Sequence, residues 1–197
     1  MNTIFVALRV TVVTLVLTGL LYPLVSTGLA RALFPRQASG SLVTDRRGSV
    51  VGSELLAQAF TKPAYFQPRP SAAGTGYDAT SSGGTNLGPT SQKLNDAVKA
   101  AVAAYRTANG LAAGAEVPAD AVTSSASGLD PHVSPANAQL QAARVAKARG
   151  LPVERVMGFV AAATEGRDLG VLGEPGVNVL RLNVALDAAS APPAAGK

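Results

Sequence analysis

Residues 10–30 read V-T-V-V-T-L-V-L-T-G-L-L-Y-P-L-V-S-T-G-L-A, without one charged side chain. A helix of that length runs about 31 Å at ~1.5 Å per residue, the thickness of a bilayer's hydrocarbon core. Arg9 and Arg31 flank the run, where long side chains reach headgroups. The reading is one transmembrane helix over residues 10–34, preceded by a short cytoplasmic terminus, residues 1–9. Pro23 has no N–H to donate and predicts a bend in the later half. Gly19 and Gly28 leave room for a neighbouring helix to approach. A cleaved signal peptide begins in a similar way, but its apolar region typically spans about 7–15 residues.

Outward from this run, the rest of the composition falls into place. Hydrophobic residues make up 47% of the 197-residue chain and charged residues only 15%. The net charge is +5, and Arg9, Arg31 and Arg36 stand in a segment with no acid. Later basic residues are scattered and there is no Trp, so no nucleic-acid interface is expected. The absence of cysteine excludes disulfides, thiolate metal sites and a cysteine nucleophile. Orientation is ambiguous from charge alone. Arg31, Arg36, Arg46 and Arg47 follow the span, which read naively keeps the domain inside, yet long domains cross with little regard to such charges.

Beyond the anchor, residues 35–187 read as one mixed α/β (α+β) domain. Residues 41–43 and 49–51 flank T-D-R-R-G, a hairpin turn closed by Gly48. Ser53 is placed to cap a short helix reaching Phe60. Residues 61–90 carry four prolines and five glycines and predict a long loop held against something. Ser91 starts a helix with Leu94, Val98, Ala101, Val102 and Tyr105 on one face, ending at Asn109-Gly110. Residues 121–123 read as a short strand. Ser134-Pro135 opens a second helix that closes at Gly150, and Pro152 opens a third. Residues 177–186, V-N-V-L-R-L-N-V-A-L, alternate and predict a half-buried strand. From residue 188 to 197 a disordered tail is expected.

Residues 127–138, S-G-L-D-P-H-V-S-P-A-N-A, hold the only histidine, His132, near Asp130 and between Ser127 and Ser134. A hydrolase using Asp130 and His132 needs a placed nucleophile and an oriented base. A turn made by Asp130 and a cap made by Ser134 explain the same residues without chemistry. One histidine and no cysteine cannot supply the usual zinc ligand set without a carboxylate-rich site. G-T-G-Y-D-A, residues 74–79, has the glycines of a dinucleotide loop but no preceding strand. S-G-G-T-N-L-G-P-T, residues 82–90, reads as a loop shaped to lie against another backbone, with anion binding at the following helix as the rival.

Taken in order, L-T-G-L-L-Y-P-L, G-S-E-L-L-A-Q-A-F, R-P-S, S-G-G-T-N-L-G-P-T, V-T-S-S-A-S-G-L-D-P-H-V-S-P, R-V-A-K-A-R-G-L-P-V and V-N-V-L-R-L-N-V-A-L-D resemble the C-subunit family of the Kdp-type potassium-transporting ATPase. The resemblance covers nearly the whole chain. It implies a non-catalytic subunit of an ATP-driven K+ importer, with one helix in the cell membrane's lipid and an extracytoplasmic α/β domain near the ion entrance. It implies three partners: a channel-like A subunit, a P-type ATPase B subunit and a small F peptide. The family is also described as a catalytic chaperone that raises the B subunit's ATP affinity, with a glutamine proposed to touch nucleotide. That glutamine maps to Gln141, with Gln139 as its neighbour. ATP would then be a ligand, although a domain outside the membrane cannot reach cytoplasmic ATP. No Lys or Arg clamp with an acidic metal ligand is evident either. Candidate partner contacts are Gly19 and Gly28 in the anchor, Tyr77 and Asn86 in the first loop, and Asp130 and His132 in the second.

Overall fold

A computed structural model describes residues 2–190, in two units, Met1–Leu42 and Val43–Lys197. The first unit is a single apolar rod. Helix α1 (Thr3–Leu15), a π-helical stretch (Val16–Leu21) and helix α2 (Tyr22–Leu33) run on without a break. The 31 residues Thr3–Leu33 have mean hydropathy 2.3 and are long and apolar enough to cross a membrane. The helix thus starts well before residue 10. The disturbance expected at Pro23 takes the form of the π turn, with the Tyr22 N–H donating to the Leu17 carbonyl. Widening the turn just before the proline relieves the ring's clash with the preceding turn. A short helix, α3 (Pro35–Ala38), follows.

The second unit opens with the expected hairpin, β1 (Leu42–Thr44) paired with β2 (Val50–Ser53). Its turn is held by Asp45, whose Oδ1 accepts from the N–H groups of Arg47 at 2.8 Å and Ser49 at 2.9 Å. No helix follows Ser53. Its hydroxyl caps only a turn, accepting from the Leu55 N–H. The backbone there has distant partners: Ala57 N–H donates to Leu129 O, and Glu54 O accepts from the Asn178 amide. Local capping lost to tertiary hydrogen bonds.

Helix α4 (Gln92–Asn109) is capped by the Ser91 hydroxyl and ends at Gly110, φ +64°. Residues 119–121 form a 3-10 turn rather than the start of a strand. Asp120 is the reason: its carboxylate binds the Ser134 N–H, the Ser134 hydroxyl and the Asn137 amide, which fixes this segment as a corner beneath the next helix. Helix α5 (Pro135–Arg149) starts on the Ser134 cap and stops at Gly150, φ +64°, both as the sequence implied. Helix α6 (Val153–Ala162) packs on it.

Three short strands make an antiparallel sheet in the order β3 (His132–Val133), β5 (Gly176–Asn178), β4 (Thr164–Glu165). The strand expected over 177–186 stops at Asn178, where helix α7 (Val179–Ser190) begins. The Asn178 side chain accepts from the Arg181 N–H, three residues on, as a helix cap does. Val179, Leu182, Asn183 and Leu186 are all buried, so the helical period is the one that meets the core. The alternation of leucine and valine was a coincidence of the same residues. Residues 188–190 belong to this helix, against the expectation of a tail; residues 191–197 lie outside the described residues.

The core joins α5, α6, α7 and the sheet through Val133, Val145, Val156, Val160, Val177, Leu182 and Leu186. Phe66 enters from the long loop and is 0% exposed. Burying such a ring contributes about 1.5–3 kcal/mol, enough to hold a loop that has no regular structure.

Candidate functional site

Residues 54–91 contain no helix or strand, so their backbone polar groups need partners from elsewhere. Side chains of α5 and α7 supply them. Asn183 accepts from the Phe66 N–H and donates to the Phe66 carbonyl, both at 2.9 Å. Gln141 repeats this one residue on, accepting from the Gln67 N–H at 2.7 Å and donating to its carbonyl at 3.0 Å. Two side-chain amides thus pair with the extended chain as a neighbouring strand would. Arg144 donates to the carbonyls of Pro63 and Tyr65, and Arg149 to that of Ala64.

Gln141 has nothing left to offer. Its Nε2 also donates to Asn137 Oδ1 at 2.9 Å, and its Oε1 also accepts from Arg144 at 2.7 Å. All four of its hydrogen-bonding positions are filled and the residue is 1% exposed. Gln139 is exposed on the outer face of the same helix. Beside Asn137, the Tyr105 hydroxyl donates to Asn137 Oδ1, and burial with the Asp120 charge raises its pKa. Burial lowers that of Arg144.

The second cluster is a chain of alternating charge. Arg69 meets Asp130 at 3.1 Å, Asp130 lies 3.7 Å from His132 Nδ1, Glu165 lies 3.1 Å from His132 Nε2, and Arg181 meets Glu165 at 2.8 Å. The Asp130 carboxylate beside Nδ1 raises the His132 pKa, against burial and with help from Glu165. The His132 side chain, with the His132 backbone N–H donating to Oδ1, likewise holds the Asp130 carboxyl low. Both imidazole nitrogens face carboxylates, which leaves none to serve as base for a nucleophile. The flanking hydroxyls are occupied too: Ser127 accepts from the Leu129 N–H, and Ser134 caps α5 and donates to Asp120. The cluster is an ion-pair bridge between β3, β4, α7 and the long loop, without the geometry of a triad.

The glycine-rich stretch does lie against another backbone. Gly83 N–H donates to the Ser127 carbonyl at 2.9 Å. A Cβ on Gly84 would come 3.0 Å from the Ala126 carbonyl, and one on Gly128 2.7 Å from Ala73 N and Gly83 O. Tyr77, at φ +57°, is locked into the same crossing: its N–H donates to Ser71 and its hydroxyl to the Arg69 carbonyl. Asn86, at φ +53°, is exposed nearby along the loop. In the other unit, Gly19 and Gly28 sit on exposed helix faces where a Cβ would meet nothing within 4 Å. Among the described residues no three His, Asp or Glu side chains group as a metal site.

Asn183, Arg144, Arg149 and Asp120 were not singled out in the sequence. One signal was available: Asn137, Gln141 and Arg144 fall at helical spacing on the face that also carries Ala138, Ala142 and Val145. Polar groups on a buried face need partners there.

Comparison with known proteins agrees along most of the chain. A family model described as "K+-transporting ATPase, c chain" matches residues 4–188. The chain is 61% identical over 186 residues to the potassium-transporting ATPase KdpC subunit of Myxococcus xanthus, covering 94% of this chain and 88% of that one. It is 60% identical over 171 residues to that of Rhodospirillum rubrum, covering 87% and 88%. To that of Mycobacterium bovis it is 52% identical over 181 residues, covering 92% and 95%.

Proposed function

The chain belongs to the family of the K+-transporting ATPase c chain, and from that premise we propose that it is a non-catalytic, membrane-anchored subunit of a potassium importer. Helix Thr3–Leu33 lies in the bilayer with its N-terminus in the cytoplasm, and residues 43–190 form an extracytoplasmic domain. Its partners are a channel-like A subunit, a P-type B subunit and a small F peptide, and its work is to support their assembly and ion entry. Gly19 and Gly28 admit neighbouring helices, while Tyr77, Asn86, Asp130 and His132 stand on the partner-facing side of the domain.

The observation that carries this reading is the saturation of the polar residues that chemistry would need. Gln141 spends its whole amide on Gln67, Asn137 and Arg144, and His132 spends both nitrogens on Asp130 and Glu165. Direct ATP binding through Gln141 would require breaking the bonds that hold the loop. An effect on the B subunit's ATP affinity is better carried by subunit contacts.

The chain has no cysteine, which makes a topology experiment clean. Gln139→Cys places one exposed thiol on α5. In intact cells a membrane-impermeant thiol reagent is expected to label it, and affinity purification of the same chain is expected to bring a channel-like subunit and an ATPase. Labelling only after lysis would overturn the extracytoplasmic placement, and purification without ATPase subunits would overturn the assembly role.

A further inference from the structure

Strand β2 meets helix α7 at Gly52, where a Cβ would come 2.6 Å from Gln58 Oε1 and 3.0 Å from Leu180 Cδ2. Glycine lets the hairpin lie that close. Beside this contact the hairpin turn and α7 enclose a cavity of about 570 Å³, walled by Val51, Phe60, Tyr65, Leu180, Val184 and Ala188. Its size and apolar lining are those of a small-ligand site.

Most polar groups on these walls already have partners. The Tyr65 hydroxyl donates to Asp187 at 3.0 Å, Asp187 also takes the Arg149 guanidinium at 2.8 Å, and Asn183 holds the Phe66 backbone. Asp45 Oδ1 is turned to the N–H groups of Arg47 and Ser49. The Phe60 ring leans on Tyr65 with centroids 5.5 Å apart, and the Arg149 guanidinium lies 5.0 Å from the Tyr65 ring centre, so the aromatic wall is fixed. Two lining side chains differ. Arg46 and Arg47 are exposed, and neither guanidinium has a partner among the described residues. An apolar chamber with two free cations at its edge fits an amphiphile with an anionic head.

We propose that this cavity takes one acyl chain of an anionic phospholipid, with the lipid phosphate held by Arg46 and Arg47. Charge selects the head. Guanidinium groups pair bidentately with phosphate oxygens, and the two lining carboxylates are already held, Asp187 by Arg149 and Asp45 by its own turn. The walls select the tail. A soluble phosphate would leave them wet, and a peptide would bring backbone polar groups that they cannot answer. Chain order selects the source. Thr44, which also lines the cavity, follows soon after Leu33, the end of the helix long enough to cross a membrane. Lipid tails are as apolar as leucine, so moving one tail onto these walls exchanges like for like, while the phosphate gains two charged partners. The proposal rests on the membrane anchoring given above.

The test uses the full chain in phosphatidylcholine vesicles that carry a photoreactive phosphatidylglycerol, its diazirine at the end of one acyl chain. Adducts located by peptide mass are expected on Thr3–Leu33 and, separately, on Phe60 or α7. Arg46→Gln combined with Arg47→Gln alters only exposed, unpartnered side chains. It should keep the unfolding temperature and the adducts on Thr3–Leu33, and lower the cavity adducts roughly tenfold. A photoreactive phosphatidylcholine, with no net charge, should label the wild-type cavity less than the anionic lipid does. Val184→Trp fills the chamber and should exclude the tail; if that chain fails to fold, the arginine pair decides alone. Anchor adducts without cavity adducts, equal cavity labelling by the two lipids, or cavity adducts that survive either change would each overturn the lipid site and leave the anchor reading in place. No adduct on Thr3–Leu33 would overturn the anchor reading and this one with it.

Discussion

His132 shows how one residue can be found in a sequence and misread. Its neighbours in the chain, Ser127, Asp130 and Ser134, suggest catalysis; the residue that completes its surroundings, Glu165, lies two helices further along and left no mark nearby. Two carboxylates around one imidazole give a definite pH response. The folded-state His132 pKa is raised, chiefly by the Asp130 carboxylate beside it, so its stabilisation is full below the unfolded value of about 6.5 and fades as pH rises through the folded value. The Asp130 pKa is depressed, so its contribution is present above about 3.9 and lost as pH falls through the folded value. Thermal unfolding followed between pH 5 and pH 9 should therefore show wild type losing stability on the alkaline side relative to His132→Gln. Parallel profiles for the two proteins would mean that the bridge contributes nothing. Gln141 teaches the complementary point. Its place on α5 was legible from Ser134, Pro135 and Gly150, but its role was not, because its partners Gln67 and Arg144 are fixed only once the loop lies across the helix.

At the scale of elements, capping chemistry was a good guide and alternation was not. Ser91, Ser134, Gly110 and Gly150 mark ends that depend on local backbone bonds, and they sit where those bonds require. Residues 177–186 carry apolar side chains that satisfy a period of two and a helical period at once. Asn178 was the deciding residue, a cap followed by Val179, Leu182 and Leu186 at helical spacing. Residues 53–60 were misread for another reason: their backbone groups are claimed by Leu129 and Asn178, which no short window contains; at 121–123 the N–H groups of Ala121 and Val122 turn back to Pro118 and Ala119, in a corner that Asp120 ties to the distant Ser134 and Asn137. The crossing of the long loop with residues 125–128 is the element most exposed to test. Gly128→Ala would need φ +68° and a Cβ 2.7 Å from two backbone atoms, so a loss on the order of 3 kcal/mol is expected. Gly114→Ala, with open space around it, should fall within about 0.5 kcal/mol of wild type. Urea unfolding of the two variants measures the difference, and equal midpoints would mean the crossing is not tight in solution.

At the scale of the molecule, the long apolar helix set apart from a mixed helix-and-sheet unit was the most legible feature, because it depends on composition over many residues rather than on any one contact. Arg9 and Arg31 are separated by about 33 Å of helix at ~1.5 Å per residue, close to the ~30 Å hydrocarbon thickness. The rod contributes no residue to the core cluster, whose members run from Phe66 to Leu186. The domain's stability therefore rests on burial and hydrogen bonds made within the second unit. A chain starting at Ser39 should fold in water without detergent, keep the unfolding temperature and the His132 pH response of the full chain, and lose only its retention in membranes. Circular dichroism melts of the truncated and full-length proteins decide it. A truncated chain that is soluble but lacks a cooperative transition would show that the anchor is needed for the fold itself. In that case the amide clamp on residues 66 and 67 forms only when the first unit, or whatever it binds, is in place.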